Sequence, residues 1–327
     1  PWSIIRSLWY QAPVNLQYAN NNPGYLNNVP SGLHGPAQAE KDIAGYITNN
    51  KRWFQSSLSL NYEVPFVKGL NVKGLFSYDW QQENNKFYHK SFNLYNYNAT
   101  TNTYVPQTQQ SPAFVKREFY EYPQSLAQLQ LNYAHNFSGV HNVAASLIYE
   151  NTKRRGDNFN AQREVSIPID QLMAGNSANQ IASMSTSANA LYENEMAAYI
   201  GRFSYDYKGK YLAEFGFRED GSSRFAAGKQ WGFFPFASAG WRISEEGFWK
   251  NSSILSKVNN FKVRASYGEL GDESGLSYQF LTGYNYPAGG SPGGLPAGSV
   301  FDGIFINGVS GRGLANPLLS WYTAKTI

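Results

Sequence analysis

Four histidines, His34, His89, His135 and His141, are the first candidates for chemistry in this chain of 327 residues. His135 and His141 flank one short turn and could approach each other across it, but no third ligand or His-x-x-x-His spacing accompanies them. They read as interfacial residues. With no cysteine, thiolate metal sites, Cys nucleophiles and disulfide frameworks are excluded. The acidic pairs Glu245-Glu246 and Asp272-Glu273 fall at strand ends or turns and read as solvated. A glycosidase would need two carboxylates facing each other at about 5–10 Å, and no such pair is visible. Gly289-Gly-Ser-Pro-Gly-Gly294 lacks a following helix and a Lys-Ser pair, so it reads as loop and not as a phosphate cradle. Gly221-Ser222-Ser223 has no helix after it to make a nucleophile elbow. Neither catalysis nor a cofactor or metal is expected. The residues suited to a ligand are aromatic. Tyr88, Tyr95, Tyr97, Tyr104 and Trp231 stand among Asn and Gln amides in expected loops, where ring faces can stack on sugars and amides can bond their edges. Packing of loop on loop is the competing use for each of them.

The elements that position these residues alternate with period two, as strands do. Tyr199, Gly201, Phe203 and Tyr205 share one face, against Ile200, Arg202, Ser204 and Asp206. After a Tyr207–Lys210 turn, Tyr211, Ala213, Phe215 and Phe217 alternate with Leu212, Glu214, Gly216 and Arg218. The same pattern runs from Leu58 to Val64, Leu70 to Trp80, Leu129 to Phe137, Val143 to Tyr149, Ala237 to Ile243 and Phe261 to Tyr267. A last strand begins near Leu318. Residues 1–50 read as a long loop, and a short helix is expected near Pro168–Ala174.

Charged residues make up 15% of the chain and aromatic ones 16%, against about 25% charged in an average protein. Basic residues are scattered, so no nucleic-acid patch is expected. No apolar run approaches the ~20 residues of a membrane helix. Because the chain opens at Pro1, a mature or truncated product is expected.

Turns at 65–69, 138–140 and 207–210 are tight, whereas 82–115, 151–190 and 272–316 read as long loops. The connector 246–259 is the exception on the tight side. In an up-and-down meander the long loops and the shorter 219–234 loop share one end. Charges inside the strands fall opposite the aromatic phase, and aromatics gather at strand ends: Trp53, Phe54, Tyr78, Trp80 and Tyr149 at one rim, Tyr62, Phe66, Phe137, Tyr205, Tyr207, Tyr211 and Phe261 at the other. These are traits of outer-membrane barrels; alternation alone also fits a soluble sandwich.

Several blocks tip the balance. Arg218-Glu-Asp-Gly-Ser-Ser-Arg-Phe225, Gly240-Trp-Arg-Ile-Ser-Glu-Glu246 and Lys262-Val-Arg-Ala-Ser-Tyr-Gly268 resemble signatures of the SusC/RagA-type TonB-linked outer-membrane transporters. So do Trp9-Tyr-Gln-Ala-Pro-Val14, Lys68-Gly-Leu70 with Phe76-Ser-Tyr-Asp79, and Ala315-Asn-Pro-Leu-Leu-Ser-Trp321, after which Tyr322 stands where a Glu is common. The resemblance implies an all-β, transmembrane, antiparallel up-and-down β-barrel of 22 strands with a plugged lumen. Residues 1–327 would be a single barrel region of about nine strands, with residues 1–50 mostly an extracellular loop. Plug, TonB-contact segment, first and last strands would be absent. It further implies location in the outer membrane of a Gram-negative bacterium and contact with its lipid, a SusD-like surface lipoprotein and the TonB complex as partners, and oligosaccharide import. Peptide import, as in the RagA-like branch, and a soluble glycan-binding module are the alternatives. In a barrel, Leu60, Leu131, Phe203 and Val263 would face lipid. Arg202, Glu214, Arg218, Arg242 and Arg264 would face the lumen and its plug.

Overall fold

The computed structural model describes residues 9, 14–29, 34–275, 277–286 and 297–327. The protein is all-β. Its strands are β1 (Gly45–Glu63), β2 (Leu70–His89), β3 (Phe92–Asn98), β4 (Thr103–Gln109), β5 (Phe114–Phe137), β6 (His141–Glu164), β7 (Gln180–Ser183), β8 (Tyr192–Tyr207), β9 (Tyr211–Ser222), β10 (Trp231–Arg242), β11 (Lys262–Asp272), β12 (Tyr284–Asn285), β13 (Gly298–Phe301), β14 (Ile304–Asn307), β15 (Ser310–Gly311) and β16 (Tyr322–Thr326). Nine of them form one sheet in the order β1-β2-β5-β6-β8-β9-β10-β11-β16, with β7 paired to β6. Taken in chain order, each of these nine strands pairs with the next, as in a meander. The pairs β3–β4, β12–β15 and β13–β14 are separate two-stranded pieces.

Two compact units divide the chain. The first comprises Pro1–Phe54, Asp79–Pro123 and Arg155–Tyr192; the second comprises Gln55–Tyr78, Gln124–Arg154 and Glu193–Ile327. The first unit has a small core of Tyr88, Val115 and Val165, flanked by Tyr46, Ala113 and Leu172. Gly45 is required there: its φ is +91°, and a Cβ would lie 1.8 Å from the Tyr88 carbonyl oxygen. His34 is fully buried, its Nδ1 accepting from Ala37 N–H at 3.1 Å while Nε2 lies 3.0 Å from the Gln17 carbonyl. That pairing fixes the Nε2–H tautomer. It also caps the short helix Gly35–Ala39. The segment after β6 is pinned by Asp170, which accepts from Lys86 Nζ at 2.5 Å and from the Tyr46 hydroxyl. These two donors hold the Asp170 carboxyl below the usual carboxylate range.

Strand lengths depart from the sequence expectation. β1 starts at Gly45, inside the expected 1–50 loop, β2 continues to His89, β5 begins at Phe114 and β6 runs to Glu164, so the expected loop 82–115 is largely strand and the expected loop 151–190 is strand over 151–164 and 180–183. Their polar, amide-rich residues carry no hydropathy signal, yet the backbone ladder extends regardless of side chain. A single 3₁₀ turn at Leu172–Ala174 stands where a helix was expected.

In the second unit the tight turns lie side by side. Ala134 N–H bonds Gly69 O at 2.9 Å, Lys208 N–H bonds Val140 O at 2.7 Å and Arg242 N–H bonds Lys210 O at 2.8 Å. Asp206 Oδ1 accepts from Gly209 N–H at 2.7 Å, and Lys208 and Gly209 take positive φ, closing the β8–β9 turn. At the opposite strand ends, 223–230 meets Glu273, Ser320 and Trp321. Arg224 pairs with Glu273 at 3.7 Å, and the Ser320 hydroxyl and Trp321 indole donate to the Lys229 and Gln230 carbonyls at 2.9 and 2.8 Å.

Candidate functional site

The sheet of the second unit has two unlike faces, and registers of β8, β9 and β10 set which residue joins which. Phe203 pairs with Phe215 and Ala213 with Ala239, while Ser204 pairs with Glu214 and Ile200 with Arg218. On the apolar face Leu60, Leu131, Phe203 and Val263 are 42–68% exposed. Two aromatic rows bound this face. At the tight-turn end Tyr207, Tyr211 and Trp241 stand in a ladder with centroids 6.3 and 6.4 Å apart. At the other end Tyr149, Tyr199 and Trp231 follow at 5.2 and 5.8 Å. Trp231 reaches Tyr199 by crossing Gly221, where a Cβ would come within 3.0 Å of the indole. Trp231 and Trp241 are ten residues apart on β10, about 33 Å along a strand. At a barrel tilt this becomes roughly 25 Å, the height of a membrane barrel's apolar band.

On the charged face Arg202 and Arg218 are held by carboxylates. Arg202 forks onto Glu214 with both contacts at 3.0 Å. Arg218 Nε contacts both Asp220 oxygens at 2.6 and 2.8 Å, and its Nη2 lies 3.7 Å from Glu150. Arg242 donates to Gly209 O at 3.4 Å. Arg264, with Glu214, Asp206, Asn142 and Lys262, lines a concavity of about 740 Å³. Two aromatic side chains that sequence reasoning missed also sit on this face. Phe236 covers Gly216, and Phe234 is buried between Gly232, Gly271 and Trp321. Their parity with Ser238 and Arg242 was the available signal.

The five aromatic ligand candidates are placed in different settings. Tyr88 lies in β2 and is buried in the first unit's core, so it packs instead of presenting a face. Tyr95 and Tyr104 sit on the β3–β4 hairpin around Tyr25, which stacks on Tyr104 at 3.8 Å and 4° and meets Tyr95 edge-on at 5.0 Å. Tyr97 leans on Tyr104 and donates to Asn102 Oδ1 at 3.0 Å. Trp231 belongs to the aromatic row of the apolar face. A second tyrosine set in the first unit went unrecognised: Tyr120, Tyr122 and Tyr192 stand nearly parallel with centroids 6.4 and 6.5 Å apart. Tyr192 occupies the space over Gly156, where a Cβ would lie 2.5 Å from its ring. Tyr120 and Tyr122 share the parity of Gln128 and Gln130 in β5, the phase opposite Leu129 and Leu131.

His141 bonds the Tyr205 hydroxyl at 2.7 Å and His135 rests on Phe137, so the two histidines do not converge. No group of three or more His, Cys, Asp or Glu side chains suited to a metal occurs among the described residues. Glu273 accepts from Ser222 at 2.5 Å and Glu245 pairs with Lys250 at 2.5 Å. The Gly289–Gly294 stretch lies outside the described residues, as does most of the block from Trp9 to Val14.

No family model matches the chain. Among curated proteins it is 25% identical over 322 residues to TonB-dependent receptor P39 of Formosa agariphila, covering 98% of this chain and 27% of that protein. It is 38% identical over 92 residues to TonB-dependent receptor SusC of Bacteroides thetaiotaomicron, covering 28% of this chain and 9% of that protein. Among solved structures it superposes on the RagAB peptide transporter with a TM-score of 0.62 at 18% identity, over 85% of this chain and 28% of that one. The chain thus spans about a quarter of the length of the first of these relatives. The resemblance to SusC/RagA-type TonB-dependent transporters is borne out, and so is the all-β, barrel-type sheet.

Proposed function

We propose that this chain is part of the wall of a TonB-coupled outer-membrane importer that takes up oligosaccharides together with a SusD-like surface lipoprotein. The observation that carries the reading is the two-faced sheet, apolar and exposed between aromatic rows about 25 Å apart and charged on the reverse. A charge at the middle of a lipid-facing surface costs about 2–4 kcal/mol for Arg or Lys. That cost explains why Arg202, Arg218, Arg242 and Arg264 share the opposite phase. In this reading they and Glu214 line a lumen and face a plug, and the concavity beside Glu214 and Arg264 is room for plug residues. Pairing within the wall, as in Arg202–Glu214, keeps those charges compensated when the plug shifts.

The saccharide reading rests on the Tyr120–Tyr122–Tyr192 ladder, with Tyr97 beside Tyr104 as a further ring. Ring faces in series on the charged-face phase suit stacking against successive sugar rings, and Asn85 and Glu118 nearby bond at 3.3 Å, a pair able to turn toward hydroxyls. The test uses the full-length importer with its lipoprotein partner, challenged with mixed oligosaccharides and mixed peptides and with bound species identified by mass spectrometry. Oligosaccharides should be retained, and Tyr122→Ala should weaken their binding about three- to tenfold, the worth of one aromatic contact. Retention of peptides alone would assign the importer to the peptide class, and saccharide binding unchanged by Tyr122→Ala would remove the ladder from the site.

A further inference from the structure

The connection from β10 to β11 is out of proportion to its neighbours. In the second unit, 64–69, 138–140 and 208–210 close their hairpins with three to six residues, whereas 243–261 spends nineteen. Antiparallel neighbours need only about two to five. The surplus is folded, and it is folded toward the apolar face. Glu246 accepts from the Tyr211 hydroxyl at 2.6 Å, the Trp241 indole at 3.2 Å and Lys210 Nζ at 3.0 Å. Tyr211 and Trp241 are members of the aromatic row on that face. Trp249 stacks on Phe261, at the head of the apolar phase of β11, at 5.1 Å and 8°, and its indole donates to Val258 O at 3.1 Å. Beyond this anchorage Phe248, Ile254 and Val258 are exposed. Glu245 and Glu246 are each held by a lysine, Lys250 and Lys210. No carboxylate pairs with Lys208 or Lys257 among the described residues.

We propose that the 243–261 connector is an interfacial anchor, lying on the headgroup layer of the leaflet at the tight-turn end. Phe248, Ile254 and Val258 enter the acyl boundary, and Lys208 and Lys257 meet lipid phosphates. Two observations select lipid as the occupant. The apolar side chains continue the aromatic row that bounds the apolar face, and the one charge of the connector that meets no counter-ion among the described residues, Lys257, is a cation, as anionic headgroups require, with Lys208 over the Tyr207 ring at 5.2 Å. Amphipathic segments with this composition lie in the interface plane. The inference rests on the reading of the sheet as a membrane wall.

The test is the full-length transporter in nanodiscs of phosphatidylethanolamine and phosphatidylglycerol containing lipid with a nitroxide on the acyl chain. A bimane label is placed on one cysteine at a time: Ile254→Cys in the connector, Phe203→Cys in the wall, Ser138→Cys in a short turn. This chain has no cysteine of its own to compete. The labels at 254 and 203 should both be quenched several-fold more than that at 138, and adding Lys257→Glu should reduce quenching at 254 alone. Strong quenching at 203 with 254 as weak as 138 overturns the anchor while leaving the wall intact, and assigns the connector to water or a protein partner. Weak quenching at all three positions overturns the wall and the anchor together.

Discussion

Three donors converge on one carboxylate at the foot of β10. The Tyr211 hydroxyl, Lys210 Nζ and Trp241 indole hold Glu246 at a pKa of about 2, below its ordinary 4.5. Each donor favours the ionised form, because each hydrogen bond is stronger to a carboxylate than to a neutral acid. A folded-state value below the unfolded one means stabilisation that is complete above the unfolded pKa and lost as pH falls through the folded one. Glu246→Gln should therefore lower the unfolding midpoint of the full-length protein by a constant amount above about pH 5. The difference from wild type should shrink between pH 4.5 and 2 and vanish near 2. Heat-modifiability on gels, followed at each pH, reads this directly. A difference independent of pH would mean that Glu246 acts by packing and not by charge.

At the scale of the element, strands of this sheet are matched to each other by what they lack. Gly271 in β11 faces Phe234 of β10 so closely that a Cβ would lie 2.1 Å from its ring tip, and Trp321 closes the other side at 5.5 Å. Gly271→Ala should therefore destabilise by about 1–3 kcal/mol, the cost of overpacking a filled site. Gly268→Ala, whose Cβ would meet Phe236 at an ordinary 3.6 Å, should be neutral. Equal effects of the two substitutions, measured as unfolding midpoints, would contradict the packing described. The β8–β9 hairpin was readable from the sequence to the residue: Tyr207 pairs with Tyr211, and the alternation of Phe203 and Phe215 against Arg202 and Glu214 is the one observed. What alternation could not give was strand length. Beyond Trp80 and Glu150 the chain remains strand through polar residues, and hydropathy is silent where both faces are polar. Nor could it place Phe234, because an aromatic on the charged phase looks like a break in the pattern until Trp321 is seen against it. Tyr88 misled for the related reason that a tyrosine amid amides looks solvent-facing although Val115 and Val165 bury it.

At the scale of the whole molecule, this chain is one stretch of a sheet whose terminal members β1 and β16 each have a single neighbour in the strand order. Its relatives extend well beyond it in length. In the proposed wall Tyr199, Gly201, Phe203 and Tyr205 look into lipid while Ile200, Arg202 and Ser204 look into a wet interior. The most direct test is a nitroxide scan of residues 199–205 in the full-length protein in lipid nanodiscs. Collision rates with oxygen, which concentrates in lipid, are compared with those of a water-soluble nickel chelate. Oxygen access should peak at 199, 201, 203 and 205 and nickel access at 200, 202 and 204, out of phase with period two. Uniform access along the segment, or odd positions shielded from both reagents as if a second sheet covered them, would contradict the account.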